Sequence, residues 1–465
     1  MWEQMAGDDL ERSLGLFPTM MISMGAMIGS GIFVLPALGF KKAGPAVILA
    51  YVLAAVVVMP AALSKSEMAT AMPDSGGTYL YIDRALGPLF GTIAGIGAWF
   101  SLVFKSSFAL VGLGAYLLLF APVAQSQIVF VALGLAVLVI ALNVSGTKLS
   151  GSVQAVIVSL VLVGLVAYTL NAGVVGDAGQ FRPFAPAGNF DIVTAAAFVF
   201  VSYAGVTKIA SVAEEVKDPG RNLPLAMLGS LLVMLVIYVA VVAAVVALAD
   251  PKTLTKGGPD GTASLTPMAD GAAQLFGGVG VVVISVVAVV ALTSMANAGV
   301  LSSSRFPLAM SRDSLLPPAL SRIDRRFKTP RNAVLLTGVV LLLLIAFVPV
   351  IELAKLASAF QILVFSIINV ALVAFREADL PAYDPDFVAP GYPYVQVFGV
   401  VAGGVLLTQM GTLPILGAAG IIAGGVAVYV AYGRQRTDRT GALGTLLSRR
   451  RDEEDDGIVL TTESD

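Results

Sequence analysis

The chain has 465 residues, of which 57% are hydrophobic and only 12% charged, with a formal net charge of −2. An average soluble domain carries about 25% charged residues, so lipid is the solvent this composition requires, and the near-neutral balance argues against a nucleic-acid partner. The absence of cysteine and histidine removes disulfides, thiolate catalysis, Cys-ligated metals, the usual general base and the commonest metal ligand.

Residues 1–15 are polar and mixed in charge. They lack the basic start and short apolar core of a cleaved signal and are expected to form a cytoplasmic N-terminus. Twelve apolar segments follow, near 16–40, 45–63, 88–120, 127–143, 152–172, 191–213, 223–249, 276–306, 332–349, 353–375, 393–411 and 414–432. A spanning helix needs about 20 mostly apolar residues, and apolar character all round marks a membrane helix. The expectation is an all-α, multi-pass integral membrane protein with twelve transmembrane helices over 16–433. The longest external loop is expected over 249–271. Residues 434–465 turn polar, with Arg449 to Arg451 followed by the acidic run Asp452 to Asp456, and are expected to be a disordered cytoplasmic tail.

Loop charge sets the orientation. With the N-terminus inside, the cytoplasmic side receives Arg12, Lys65, Arg84, Lys148, Lys217, Arg221, Arg376, the cluster from Arg312 to Arg331 and the tail arginines. The outer side receives Lys41, Lys42, Arg182, Lys252 and Lys256. Both termini are therefore expected to be cytoplasmic, in the cell membrane.

The first span carries "GAMIGSGIF", with Gly25, Gly29 and Gly31 at mid-membrane depth. Glycine costs about 1 kcal/mol relative to alanine inside a helix. The sixth span has its own interruption, "VSYAGVTKIAS", with Gly205, Thr207 and Lys208. Glycines four apart also serve close helix packing, and Gly25 and Gly29 fit that use. The second interruption five spans later favours a pair of broken helices, one opening each of two inverted repeats, about 16–172 and 191–375. The spans of 393–432 are then extra helices. A break of this kind offers free N–H groups to a carboxylate and free carbonyls to an ammonium group or a sodium ion.

Three stretches, "ERSLGLFPTMMISMGAMIGSGIFVLP", "AEEVKDPGRNLPLAM" and "RFPLAMSRDSLLPPAL" with "KTPRNA" after it, resemble segments of amino acid permeases of the amino acid–polyamine–organocation superfamily, in the same order. The resemblance implies a secondary transporter in which ten of the twelve spans form a five-plus-five inverted repeat with helices 1 and 6 broken. It implies alternating access around a central amino acid site. By motif, Ser30, Gly31 and Ile32 would offer N–H groups to the substrate carboxylate. Carbonyls near Met24, Ala26, Met27, Val201 and Ala204 would take the amino group, beside the unwound Gly205. Ser101, Lys105 and Ser106 of span three would line the side-chain pocket. In sodium-coupled relatives, carbonyls matching Gly25 and Ile28 and hydroxyls matching Thr293 and Ser294 hold the ion. Many other relatives place a lysine in span five in its stead, and "SVQAVIVSLVLVGLVAY" has none. The coupling ion is thus expected to be Na⁺ or H⁺, with no further cofactor.

Lys105 and Lys208 lie within spans, and an ionisable group at that depth is a functional candidate by default. Both are candidates for proton coupling. Snorkelling to the interface is the structural alternative, and it is difficult for Lys105, far from either end of its span. The spans hold almost no carboxylate to pair with these amines. The substrate itself could be the missing anion, which would favour an acidic amino acid, although backbone carbonyls could serve as well. Glu214 and Glu215 end span six and read as loop contacts. Phe33, Phe200 and Tyr203 are candidate gates. A membrane enzyme lacks raw material here, and nothing resembles a channel filter. Symport, exchange and a non-transporting sensor all share the expected fold.

Overall fold

Lipid offers no partner for backbone polar groups, so a chain this apolar must satisfy them within helices. The computed structural model describes residues 12–73, 77–120, 127–146, 151–186, 188–437, 439–449 and 451. Among them the only β-type pairing is one isolated bridge, Leu14 to Val216. In chain order the helices are α1 (Leu16–Met27), α2 (Ser30–Phe33), α3 (Leu35–Ala43), α4 (Val47–Ala71), α5 (Gly77–Leu86), α6 (Pro88–Leu118), α7 (Ile128–Val144) and α8 (Gly151–Val175). Then come α9 (Asn189–Val199), a 3₁₀ stretch over Phe200–Glu215, α10 (Pro219–Leu248), α11 (Pro251–Lys256) and α12 (Pro267–Arg312). The series closes with α13 (Arg331–Phe347), α14 (Val350–Ala378), α15 (Tyr394–Thr408) and α16 (Thr412–Val428). Among the described residues, 8 helical segments are long and apolar enough to cross a membrane; of four shorter apolar helices, α1 precedes them and α7, α13 and α15 lie between them.

Two places depart from regular α-helix in the middle of apolar chain. The first follows α1, where Ile28 turns extended (φ −68°, ψ 119°) and Gly29 follows before the one-turn α2. The second is the passage from α9 into the 3₁₀ stretch, which covers 16 residues and is kinked at the non-helical Val212 (φ −127°, ψ 19°). Runs of 3₁₀ longer than three or four residues are uncommon, so this segment is held by its neighbours rather than by its own propensity. The α14 serine Ser358 does part of that work: its Oγ donates to Phe198 O at 2.9 Å and accepts from Val201 N at 3.2 Å. The α1 break is satisfied by buried tyrosines. Tyr238 donates to Met27 O (2.7 Å), Tyr51 to Gly31 O (2.6 Å) and Tyr116 to Phe33 O (2.8 Å). Each hydroxyl replaces a helical partner that the freed carbonyl has lost.

The long helix α12 is bent near its start, where Phe276 is non-helical and Gly277 has φ +56°. That conformation is open to glycine and costly for other residues. The bend separates a short segment, residues 267–275, from the membrane-length run that ends at Arg312.

The expected disordered tail needs correction over part of its length. Residues 442–449 are helical, and Ala442 is buried. Arg439 pairs with Asp83 (3.4 Å) and Asp313 (3.1 Å), and Arg449 donates to Ala378 O at 3.1 Å. Polar composition read as disorder because the partners that dock this arm lie in α5, α12 and α14, far away in sequence. The acidic run Asp452 to Asp456 lies outside the described residues.

Candidate functional site

The two breaks touch. Gly205 lies against the Ala26–Met27 peptide, where a Cβ would stand 2.4 Å from Ala26 C. Two main chains can approach this closely only where one of them has no side chain. Beside this contact is a cavity of about 140 Å³, close to the size that accommodates a benzene-sized ligand in a buried site.

Of the residues expected at the site, Ala26, Lys105, Ser106, Ala204, Gly205 and Lys208 line the cavity. Lys105 Nζ donates to Ala26 O at 3.1 Å, so a buried ammonium holds the carbonyl at the end of α1. The neighbouring carbonyls are used differently. Met24 O accepts from Ile28 N and Met27 O from Tyr238. Neither residue lines the cavity, so these two main-chain oxygens belong to the frame of the break.

The N–H end of the break is set apart from the cavity as well. Ser30 N donates to Met295 Sδ at 3.2 Å, and Ile32 N to Gly29 O at 3.0 Å. Met295 lines the cavity, whereas Ser30, Gly31 and Ile32 are buried and do not. The α12 methionine therefore stands between the cavity and the N–H groups expected to take a carboxylate. Val201 N is held by Ser358, and Ser101 Oγ bonds Ala357 O (3.0 Å) and Gln361 Oε1 (3.1 Å). Ser101 thus holds Gln361, which does line the cavity.

The expected sodium ligands are split. Gly25, Ile28 and Ser294 line a second hollow of about 10 Å³ together with Gln154 of α8. Ser294 Oγ donates to Gln154 Oε1 at 3.0 Å. Thr293 is exposed on another side of α12, since successive helical residues point about 100° apart. The pair Thr293–Ser294 therefore supplies one hydroxyl to this hollow instead of two. The donors present, one hydroxyl, one amide oxygen and the nearby carbonyls of α1, fit a small hard cation in type but not in the expected number.

The candidate gates have packing roles. Phe33 meets Tyr116 edge-on, Phe200 meets Phe365, and Tyr203 meets Tyr238. None lines the cavity.

Sequence reasoning missed several lining residues. Lys65 was expected in a loop, but α4 runs on to Ala71 and buries it, with its Nζ donating to Thr78 Oγ1. Arg305 of α12 lines the cavity as well, as do Met295 and Gln361. A signal was available for Lys65: the sequence from Ala61 to Ala71 contains no helix breaker, so nothing ends the span at residue 63.

Comparison with known proteins identifies the family and the broad activity. The family model described as "Amino acid permease" matches residues 14–440. A branched-chain amino acid permease of Bacillus subtilis is 30% identical over 450 residues, covering 92% of this chain and 94% of the relative. A methylthioribose transporter of the same organism is 28% identical over 456 residues, 93% of this chain and 96% of the relative. A cationic amino acid transporter of Arabidopsis thaliana is 27% identical over 387 residues, 80% of this chain and 64% of the relative. The chain belongs to the amino acid permease family. It is a multi-pass membrane permease and not an enzyme.

Proposed function

We propose that this permease is a secondary active transporter that moves amino acids across the cell membrane by alternating access, with a proton as the coupling ion. Its twelve spans, five-plus-five inverted repeat and cytoplasmic termini are part of the same reading. The observation that carries it is the Lys105 ammonium on Ala26 O, at the contact of two broken helices and beside a cavity. A substrate ammonium seeks a carbonyl of this kind, so the lysine and the substrate compete for one acceptor. Lys105 is an exchangeable proton carrier placed where loading is sensed. Lys208 lines the same cavity and supports the same role.

The hollow of Gly25, Ile28, Ser294 and Gln154 favours a second reading, sodium symport, with oxygen ligands as its support. The proton reading is preferred because Ser294 is committed to Gln154 and Thr293 faces away.

Uptake of a panel of labelled amino acids into proteoliposomes tests both. Accumulation driven by an imposed pH gradient, and lost in Lys105→Met, is the expected result. Accumulation driven by Na⁺ and lost in Ser294→Ala favours the second reading. Uptake that needs only preloaded amino acid on the far side identifies an exchanger. No uptake in any format overturns transport of amino acids.

A further inference from the structure

We propose that the amino acid accepted by the central cavity carries a second acid group, as aspartate and glutamate do, and enters with net negative charge. This rests on the transport reading above and adds the substrate class. The observation is the charge of the lining. Lys65, Lys105, Lys208 and Arg305 all border the cavity, and among the described residues its lining contains no aspartate or glutamate. Among the described residues, none of the four makes an ion pair. Lys65 meets a threonine hydroxyl and Lys105 a backbone carbonyl.

Buried cations ordinarily have a carboxylate partner, since leaving one unpaired is costly. This protein supplies such a partner elsewhere, as Glu67 does for Arg376, whereas the described residues around the cavity supply none. Their exposure differs: Arg305 is exposed, Lys208 half-buried, and Lys105 and Lys65 are buried at 5% and 2%. Positive charge around a cavity with low-dielectric walls draws an anion in and concentrates it there. A zwitterion such as leucine brings one carboxylate and one ammonium and leaves the excess of cations as it was. A cationic amino acid adds to that excess. A dicarboxylic amino acid brings one ammonium for Ala26 O and two carboxylates for the lysines.

Competition binding on the purified full-length protein in nanodiscs tests this, with labelled L-glutamate and L-leucine each displaced by unlabelled L-aspartate, L-glutamate, L-leucine and L-lysine at fixed ionic strength. The expected result is at least tenfold tighter binding of glutamate or aspartate than of leucine, and the weakest binding for lysine. Lys208→Gln is expected to weaken the acidic ligand at least tenfold, whereas Lys252→Gln, exposed on the short helix α11, leaves it unchanged. Leucine or lysine binding as tightly as glutamate overturns the inference and leaves transport of amino acids standing. Equal displacement by sodium chloride at matched ionic strength against gluconate also overturns it, by assigning the cations to inorganic anion binding. If no amino acid binds, both readings fall together.

Discussion

Glu67 and Lys105 are both buried and charged, yet one is surrounded by partners and the other is not. Glu67 accepts from Arg376, Tyr383 and the Ala389 amide, so every strong acceptor position is used. Lys105 has one backbone carbonyl, and Lys65 has one hydroxyl. Glu67 ties α4 to α14 and to the chain before α15. The cavity lysines keep hydrogens without a fixed acceptor, which is what a ligand site requires. On the proposed reading, paired charge is framework, and the unpaired charge of the cavity serves the ligand.

The first way to break this comparison is to remove charge from each side. Glu67→Gln leaves Arg376 without its carboxylate and is expected to destabilise the fold by about 3–5 kcal/mol, read as a lower thermal unfolding midpoint in detergent. Lys105→Met removes a cation that has no carboxylate partner and is expected to leave that midpoint unchanged or raise it. Its transport is expected to fall at least 100-fold, about 2.8 kcal/mol at 1.4 kcal/mol per decade. If Lys105→Met unfolds the protein and Glu67→Gln does not, the assignment of framework and function is reversed.

A smaller effect is expected at the contact of the two breaks. Gly205→Ala places a methyl group into the Ala26–Met27 peptide, which should cost about 1–3 kcal/mol by overpacking. Uptake should fall with it, because Ala26 O is the atom displaced. Gly134→Ala, where nothing lies within 4 Å of the added carbon, is the matched control and should be neutral or mildly stabilising.

The smallest effect belongs to the docked arm. Burial pushes the Asp83 carboxyl up to about 6, against the opposing pull of Arg439. Its folded pKa lies above the unfolded value near 3.9, so the contribution of Asp83 to fold stability is largest below that value. It declines as pH rises through about 6. Arg439, by contrast, is attracted to the ionised form. Acidification from pH 7 to pH 5 should therefore loosen the arm without weakening the fold, seen as faster hydrogen exchange over residues 439–449. Asp83→Asn should remove that pH dependence. Arg439 is 41% exposed at its side chain, so the effect should stay below about 1 kcal/mol.

Much of the architecture was legible because lipid imposes a simple rule on sequence. Long apolar segments mark the helices, and glycine in mid-span marks a break. The match between Gly25 to Gly31 and Gly205 was visible as a position along the chain, and it points at residues that lie in contact. What closes the break was not legible. The tyrosines that take its carbonyls come from α4, α6 and α10, and Tyr238 is 211 residues from Met27. Local pattern carries no trace of such a pairing. Lys65 was hidden for a different reason: charge near a span end reads as loop until the helix is seen to continue. The arm over residues 439–449 was hidden because its short apolar stretch is flanked by polar chain: Ala442, Leu443 and Leu446 pack against the core, and Arg439 and Arg449 reach Asp83, Asp313 and Ala378.

The most direct test is a structure of the protein with its transported amino acid bound. The account predicts that the ligand sits beside Gly205 with its ammonium on Ala26 O, that Lys105 has left that carbonyl, and that ligand carboxylates lie within hydrogen-bond distance of Lys105 and Lys208. A ligand bound elsewhere, or one bound with Lys105 still on Ala26 O and no carboxylate near either lysine, would contradict it.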